Sequence, residues 1–458
     1  MNYNDTIVAQ VTPPGHGGVS MLRISGKQAA TVAIHVLGKL PSPRLANYLS
    51  FRNTDGKTID QGITIWFPAP KSFTGEDTLE LHSHGSPMVI EMLLKCITKI
   101  PGVRFAKPGE FSERAFINNK IDLAQAEAIV DLINASSEQV ARSALKSLQG
   151  RFSKYILNLI DMVTDLRIYI EAGIDFSNEN IDFLSNREVE NKLNKIIKLI
   201  GRVHTQAYQG NLLMEGMNVV IVGRPNAGKS SIFNALTEHD IAIVNDLPGT
   251  TRDILRDKIN LGGRVLNIID TAGIHKTQNV VENMGIERAW KEINQAHHLL
   301  FIVDGSMVAN VKNLIQDSLF NELISKIPNG IELTIIRNKI DITGEVANVM
   351  QGKWIIINVS ANTGDGITLI KNHLQKSLLG SPSFSLEEQF LARSRHLQAL
   401  KQTQKHLEDG KTQFIKANCW DLLAEELRMA QQLLNEIIGK FVSEDLLEKI
   451  FSNFCIGK

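Results

Sequence analysis

The 458-residue chain has little cysteine, and its three thiols, Cys96, Cys419 and Cys455, are odd in number and far apart. That spacing excludes a disulfide framework. Excess charge is missing too: 49 Lys plus Arg face 49 Asp plus Glu, a formal net charge of zero. Binding of nucleic acid by bulk charge, as a basic tail binds it, is therefore excluded, while a local basic face is not. No apolar run approaches the roughly 18 residues of a membrane span. The start, Met1-Asn-Tyr-Asn-Asp, lacks the basic and apolar regions of a secretory signal. Low-complexity tracts and internal repeats are also missing. The apolar fraction of 43% and charged fraction of 21% are those of a folded globular chain. The expectation is a cytoplasmic protein, not membrane-bound, of about three domains.

Proline is unevenly spread, and its absence marks where helices can run. Nine of 13 prolines lie at or before Pro108, none occurs until Pro225, and none follows Pro382. The first stretch mixes β-rich runs (Thr6-Ile-Val-Ala-Gln, Val19-Ser-Met-Leu-Arg-Ile, Gly62-Ile-Thr-Ile-Trp) with turn signals, which reads as an α+β domain. From about residue 121, Leu145, Leu148, Phe152, Ile156, Leu159, Val163, Leu166 and Ile170 recur every three or four residues, predicting one long amphipathic helix. Val189, Leu193, Ile196, Ile197 and Ile200 predict a second. From about 385 the tail has the same character, with a stripe of Leu422, Leu423, Leu427, Leu433, Leu434, Ile437 and Ile438. Between these segments, Met217-Asn-Val-Val-Ile-Val and Leu299-Leu-Phe-Ile-Val are continuous apolar runs suited to buried parallel strands. The expected fold is multidomain, α+β and α/β: an N-terminal α+β domain and an all-α helical domain into which an α/β domain is inserted.

The inserted segment carries Gly223-Arg-Pro-Asn-Ala-Gly-Lys229-Ser230, which fits G-x-x-x-x-G-K-[ST] between an apolar strand and a helix. Such glycines let successive backbone N–H groups turn around phosphate oxygens, and the helix N-terminus adds positive potential. Lys229 would reach the β- and γ-phosphates and Ser230 would hold Mg²⁺. Three further elements follow in order. Gly249-Thr-Thr-Arg-Asp253 offers Thr251 to the metal shell, making the expected Mg²⁺ ligands Ser230 and Thr251. Asp270-Thr-Ala-Gly273 places an acid at a strand end and a glycine N–H near the γ-phosphate. Asn338-Lys-Ile-Asp341, with Ser360-Ala361, resembles the guanine-reading set of GTPases; its carboxylate accepts from two donors that adenine lacks, so the nucleotide is expected to be GTP. The expected Ras-like P-loop site comprises Asn226, Ala227, Gly228, Lys229, Ser230, Ser231, Asn245, Asp246, Leu247, Pro248, Gly249, Thr250, Thr251, Asp270, Thr271, Ala272, Gly273, Asn338, Lys339, Asp341, Ser360 and Ala361. Where Ras-like enzymes carry a water-positioning Gln, this chain has Ile274, so hydrolysis needs another group.

Beyond the G-domain motifs, the chain carries Ser72-Phe-Thr-Gly-Glu-Asp-Thr-Leu-Glu80-Leu-His-Ser-His-Gly, Pro108-Gly-Glu-Phe-Ser-Glu-Arg-Ala-Phe-Ile-Asn-Asn-Lys120 and the terminal Phe454-Cys-Ile-Gly-Lys458. With these, it resembles the bacterial tRNA-modification GTPase family MnmE (TrmE) over essentially its whole length. The resemblance implies a folate-binding, dimerising N-terminal domain (1–120), a helical domain in two parts (121–215 and 381–458) and a G domain (216–380). It implies a homodimer that works with an FAD-dependent MnmG-type partner in a heterotetramer or larger complex. Together they would add an aminomethyl or carboxymethylaminomethyl group at C5 of the tRNA wobble uridine, position 34, using a tetrahydrofolate one-carbon unit in its 5-formyl or 5,10-methylene form. By the same resemblance, K⁺ is held by Asn226, Asn245, Leu247 and Thr250, where its charge acts as an arginine finger does. Glu282 organises the attacking water, Cys455 is a catalytic candidate, and Arg23, Glu80, Lys120 and Lys458 contact the folate. Pro248 and His275 depart from the usual family residues. The competing expectation, from the G-domain motifs alone, is a GTPase switch in ribosome or RNA-complex assembly. His82 and His84 share one side of a strand but have no third ligand, so no metal site is expected there. His297-His298 reads as packing.

Overall fold

The computed structural model describes residues 5–175, 186–237, 255–261, 264–270, 289–307, 317–328, 330–379, 390–417, 419–440, 444–452, 454 and 457. The chain divides into two compact units, one of residues 1–134, 144–204 and 395–458, the other of 135–143 and 205–394.

The first unit opens with a six-stranded sheet: β1 (Thr6–Gln10), β2 (Gly17–Ser25), β3 (Asn47–Arg52), β4 (Thr58–Phe67), β5 (Thr78–Gly85) and β6 (Val103–Phe105). The spatial order is β3-β4-β5-β2-β1-β6, antiparallel except for the parallel pair β1 and β6. Alternate residues such as Leu22 and Ile24, and Leu79 and Leu81, are buried against helices Ala29–Leu37 and Pro87–Ile97. The register sets Arg23 opposite Glu80 on the sheet's other face, with the buried Ala9 on its far side.

The same unit holds long helices. Asp122 starts helix Leu123–Ile133 with a capping box: its carboxylate accepts from Gln125 N at 2.8 Å, and Gln125 Oε1 accepts from Asp122 N at 3.0 Å. The apolar stripe from Leu145 to Ile170 is not one helix. Helix Glu138–Leu148 ends before Gly150, whose φ is +81°, and helix Arg151–Asp175 begins after it. Leu145 is 44% exposed, and helix Glu138–Leu148 buries Val140, Ala144 and Ser147 instead, so the buried face shifts at the break even though the apolar spacing runs on. In the last stripe Leu423, Leu427 and Leu434 are buried on helix Trp420–Ile438, while Leu422 is exposed.

One buried ion cluster joins the ends of these helices. Arg395, at the start of helix Ser394–Ala417, donates from Nε and Nη2 to the two oxygens of Glu127 at 2.8 Å each. It also donates to the carbonyls of Glu436 and Ile437, at the end of helix Trp420–Ile438. His396 Nε2 stands 2.9 Å from Glu127, which is only 2% exposed. Burial pushes the Glu127 carboxyl upward, but His396 and Arg395 outweigh it and hold the group well below the usual carboxylate range.

The second unit is a seven-stranded sheet of β7 (Met217–Gly223), β8 (Leu255–Leu261), β9 (Arg264–Asp270), β10 (His298–Asp304), β11 (Glu332–Asn338), β12 (Asn348–Met350) and β13 (Ile355–Asn358). Its order is β12-β13-β11-β10-β7-β9-β8, with five central parallel strands and antiparallel edges at β8 and β12. The central strands are apolar on both faces because helices cover both: Ile221, Leu300 and Ile336 meet helices Lys229–Thr237 and Ile367–Leu379, and Val222, Phe301 and Ile335 meet helix Ser318–Lys326. His298 is buried in the sheet, as expected of a packing residue, and both histidines also hydrogen-bond. His297 Nδ1 accepts from Asn218 N at 2.9 Å, and His298 Nε2 lies 2.9 Å from Thr334 Oγ1.

Glu127→Gln keeps the side chain's shape and removes its charge, so it should cost about 2–4 kcal/mol in urea unfolding. A carboxyl with a depressed folded pKa contributes fully above its unfolded value, about 4.3, and its contribution falls as the pH drops below that. The cost should therefore shrink as the pH falls below about 4.

Candidate functional site

Open parallel sheets bind ligands beyond the carboxyl ends of their strands, where the order reverses. The motif residues collect at that edge of the second unit. Strand β7 ends at Gly223, the loop 224–228 follows, and helix Lys229–Thr237 begins directly. Asn226 takes φ +61° and Gly228 φ +93°, which turn the loop back on itself. A Cβ on Gly228 would lie 2.2 Å from Asn338 Nδ2, so only glycine lets the loop approach β11. Lys229 is 9% exposed and its Nζ donates to the carbonyls of Gly223 and Arg224 at 3.1 and 3.0 Å, spanning the loop mouth. Burial pulls its pKa below the usual lysine value, with the Asp270 charge opposing.

Ser230 Oγ donates to Asp270 Oδ2 at 3.1 Å, which brings the helix start to the end of β9. Asp270 is 6% exposed, and its other oxygen, Oδ1, is buried without a hydrogen-bond partner. Burial raises its pKa, against the Ser230 hydrogen bond and the Lys229 charge. A hydroxyl beside an unsatisfied buried carboxylate oxygen is a hard oxygen donor set, and it suits Mg²⁺.

At the end of β11 the buried Asn338 makes three contacts. Its Nδ2 donates to Ala227 O at 3.1 Å, its Oδ1 accepts from Ala361 N at 3.0 Å, and its carbonyl accepts from Gly305 N at 2.8 Å. The phosphate loop and the last two base-side loops are thereby tied to one residue. Lys339 follows at φ +70° and its Nζ donates to Asp304 Oδ2 at 2.6 Å. Burial pushes Asp304 up, but the hydrogen bonds from Lys339 and Ser306 win and lower its pKa. Ser360 Oγ donates to Asp341 Oδ1 at 2.6 Å, steadying the carboxylate expected to read the base. Asp304 and Asn338's bridging role were missed by sequence reasoning, although an Asp ending the apolar run Leu299–Val303 was a visible signal.

Asn226, Ala227, Gly228, Lys229, Ser230, Ser231, Asp270, Asn338, Lys339, Asp341, Ser360 and Ala361 are thus gathered along one edge of the sheet. Asn245, Asp246, Leu247, Pro248, Gly249, Thr250, Thr251, Thr271, Ala272, Gly273, Ile274, His275 and Glu282 lie outside the described residues. A cavity of about 1330 Å³ opens at the opposite ends of β10, β11 and β13, beside His298, Glu332 and His373. None of the motif residues lines it, so it is separate from this site.

A second constellation sits on the first unit's sheet. Arg23 Nε and Nη2 both lie 2.9 Å from Glu80 Oε1, and the guanidinium is 5.5 Å from the Phe73 ring centre and 5.8 Å from that of Phe111. His82 Nε2 is 3.7 Å from Glu80 Oε2, an ion-pair distance and not a hydrogen bond. Burial raises the Glu80 pKa, but His82 and Arg23 outweigh it and lower it overall. Lys120 Nζ donates to Pro70 O at 2.9 Å, on the loop that also carries Phe73. Gly457, at φ +97°, is set so close to β1 that a Cβ on it would lie 2.6 Å from Gln10 O. Gln10 pairs with Leu22, so Gly457 closes on the strand next to the one that carries Arg23. Cys455 and Lys458 lie outside the described residues.

Comparison with known proteins matches residues 6–120 to the family description "GTP-binding protein TrmE N-terminus" and residues 123–455 to "MnmE helical domain". The chain belongs to the MnmE/TrmE family. An MnmE/TrmE protein is built from an N-terminal TrmE-type domain, a helical domain and a P-loop GTPase-like domain, and this chain is a TrmE-type GTPase. Among solved structures, the G domain of the T. maritima FeoB iron transporter is 20% identical, covering 35% of this chain and 98% of its own, at a TM-score of 0.27. An Aquifex aeolicus Era variant bound to GDP and an aluminium fluoride is 23% identical, covering 41% and 66%, at 0.27. A GTP-binding protein from the archaeon Sulfolobus solfataricus in complex with GDP is 16% identical, covering 60% and 79%, at 0.27. Overlaps with TM-scores this low decide nothing, and the MnmE/TrmE assignment stands on the two family matches. Among the described residues, no helix is long and apolar enough to cross a membrane.

Proposed function

We propose that this MnmE/TrmE chain is a K⁺-activated GTPase that, with an FAD-dependent MnmG-type partner, installs a (carboxymethyl)aminomethyl group at C5 of the tRNA wobble uridine. The observation that carries this reading is the close approach of Gly457, in the terminal Cys-Ile-Gly-Lys stretch, to β1 of the same sheet that pairs Arg23 with Glu80. A GTPase switch for ribosome assembly has no use for that second site. The proposed division is 1–120 for folate binding and homodimerisation, 121–215 and 381–458 for the helical domain, and 216–380 for the G domain. The cytoplasm is the proposed compartment.

The roles follow from the chemistry of each group. Backbone N–H groups from Asn226 to Ser231 and the Lys229 ammonium bind the phosphates, replacing the loop carbonyls that Lys229 now engages. Ser230 and Asp270, with Thr251, hold Mg²⁺, whose charge offsets that of the β- and γ-phosphates. Asn338, Lys339, Asp341, Ser360 and Ala361 hold the guanine. Asn226, exposed on a positive-φ turn, presents a side-chain carbonyl oxygen for K⁺, with Asn245, Leu247 and Thr250 completing the site. Glu282 orients the attacking water. On the first unit, Glu80 keeps Oε2 available for the donor-rich edge of a pterin while Arg23 holds Oε1. Lys120 and Lys458 suit the folate's carboxylates, and Cys455 is the catalytic candidate of the terminal motif.

Two experiments test the reading. Mass analysis of wobble nucleosides from cells lacking this protein should show loss of the aminomethyl-type uridines; an unchanged nucleoside profile would reject the function. GTP turnover should rise at least tenfold when K⁺ replaces Na⁺, and Asn226→Ala should erase that difference. An equal rate in both salts would remove K⁺ from the mechanism.

A further inference from the structure

Net charge is zero, yet one part of the helical region is strongly one-signed. From Asn191 to Met214 the chain has no Asp or Glu but carries Lys192, Lys195, Lys198 and Arg202. On helix Asn186–Glu215, Leu193, Ile196, Ile200 and Val203 face the core. Lys195, Lys198 and Arg202, three and four residues apart, share the exposed face. Lys192 is turned aside onto the Tyr169 ring, 5.5 Å from its centre. Helix Ser394–Ala417 buries His396, Leu400, Thr403 and Leu407 and exposes Lys401 and Lys405.

The two helices run antiparallel. Lys411 Nζ lies 3.9 Å from Glu190, and Lys401 stands near enough to His204 to add to the effect of burial in lowering its pKa. That register sets Lys198 level with Lys405 and Arg202 level with Lys401. Between them Gly201 has no side chain, and a Cβ there would meet nothing within 4 Å, so the floor is open. Among the described residues, no carboxylate pairs with Lys198, Arg202, Lys401 or Lys405, although Arg395 and Arg114 in the same unit are paired with acids. Glu408 and Asp409 bound one end.

We infer that this groove between helices Asn186–Glu215 and Ser394–Ala417 docks the phosphate backbone of RNA. Unpaired cations on a ridge gain by releasing the counterions condensed on a polyphosphate. The exposed residues between them, Asn194, Gln398 and Gln402, are amides that hydrogen-bond phosphate and sugar oxygens. No large apolar side chain is exposed between residues 194 and 202 among those described, so the groove lacks what a membrane-surface helix inserts. That the RNA is the tRNA substrate rests on the function proposed above; that the groove binds RNA does not.

The test uses the full chain and a fluorescently labelled tRNA transcript, with affinity measured between 50 and 200 mM salt. The quadruple variant Lys198→Ala, Arg202→Ala, Lys401→Ala, Lys405→Ala should bind at least tenfold more weakly at low salt. Its slope of log affinity against log salt should flatten by about three. Its GTP turnover should be unchanged, which reports an intact fold. Exchanging Lys for Arg and Arg for Lys at the four positions should retain binding. Unchanged affinity and slope in the quadruple variant would overturn the proposal, as would loss of binding to phosphatidylserine vesicles with RNA binding intact. If the groove variant loses RNA while wobble nucleosides are normal in cells lacking the protein, the modification reading falls and the groove stands.

Discussion

The buried amide of Asn338 is the constraint on which the nucleotide site depends. It reaches from the end of β11 to Ala227 O in the phosphate loop and to Ala361 N in the last base-side loop. Gly228 must be glycine for that approach, since a Cβ would sit 2.2 Å from the amide nitrogen. Residues more than 100 positions apart therefore form one rigid edge. A site that positions a base at one end and phosphates at the other needs that rigidity, because phosphoryl transfer is accelerated mainly by placement and fixed charge. Lys229 and Asp270 both have pKa values shifted by burial in the direction that disfavours their charge. Each is thus held ready for a partner of opposite sign, a phosphate for the lysine and a divalent cation for the carboxylate.

The first unit obeys a different constraint, the return of the chain's end to its beginning. Helix Glu444–Phe451 packs on helix Leu123–Ile133 through Ile450, Phe451 and Phe454. Gly457 then closes on β1, beside the residue pairing that positions Arg23. Glu127, Arg395 and His396 secure the point where the chain rejoins this unit after residue 394. In this way the helical region carries Gly457 back to the N-terminal sheet.

Much of this was legible in the residues. Strands β7 and β10 were visible as apolar runs because parallel strands covered on both faces have no alternation to obscure. The phosphate loop and the Asn338–Asp341 set were legible because each motif must follow a strand directly. The break at Gly150 was not, because Leu145, which is 44% exposed, and Leu148 happen to continue the spacing of the buried stripe that starts at Phe152. The pairing of Arg23 with Glu80 depends on β2–β5 register across 57 positions, which no local pattern encodes. Asn338's bridge to Ala227 was equally hidden, since the residue also satisfies a motif that explains its presence without it. His298 is buried, as the packing expectation has it, but its hydrogen bond was hidden for a related reason. His298 sits in an apolar run yet bonds to Thr334, a residue on the neighbouring strand.

The most direct measurement is the GDP and GTP affinity of Asn338→Ala by calorimetry on the full chain, with circular dichroism reporting the fold. Removing two buried hydrogen bonds that join the loops should weaken both nucleotides by roughly 10- to 100-fold while helix content is retained. Affinities equal to those of the unaltered chain would contradict the view that this one amide makes two loops into a single site.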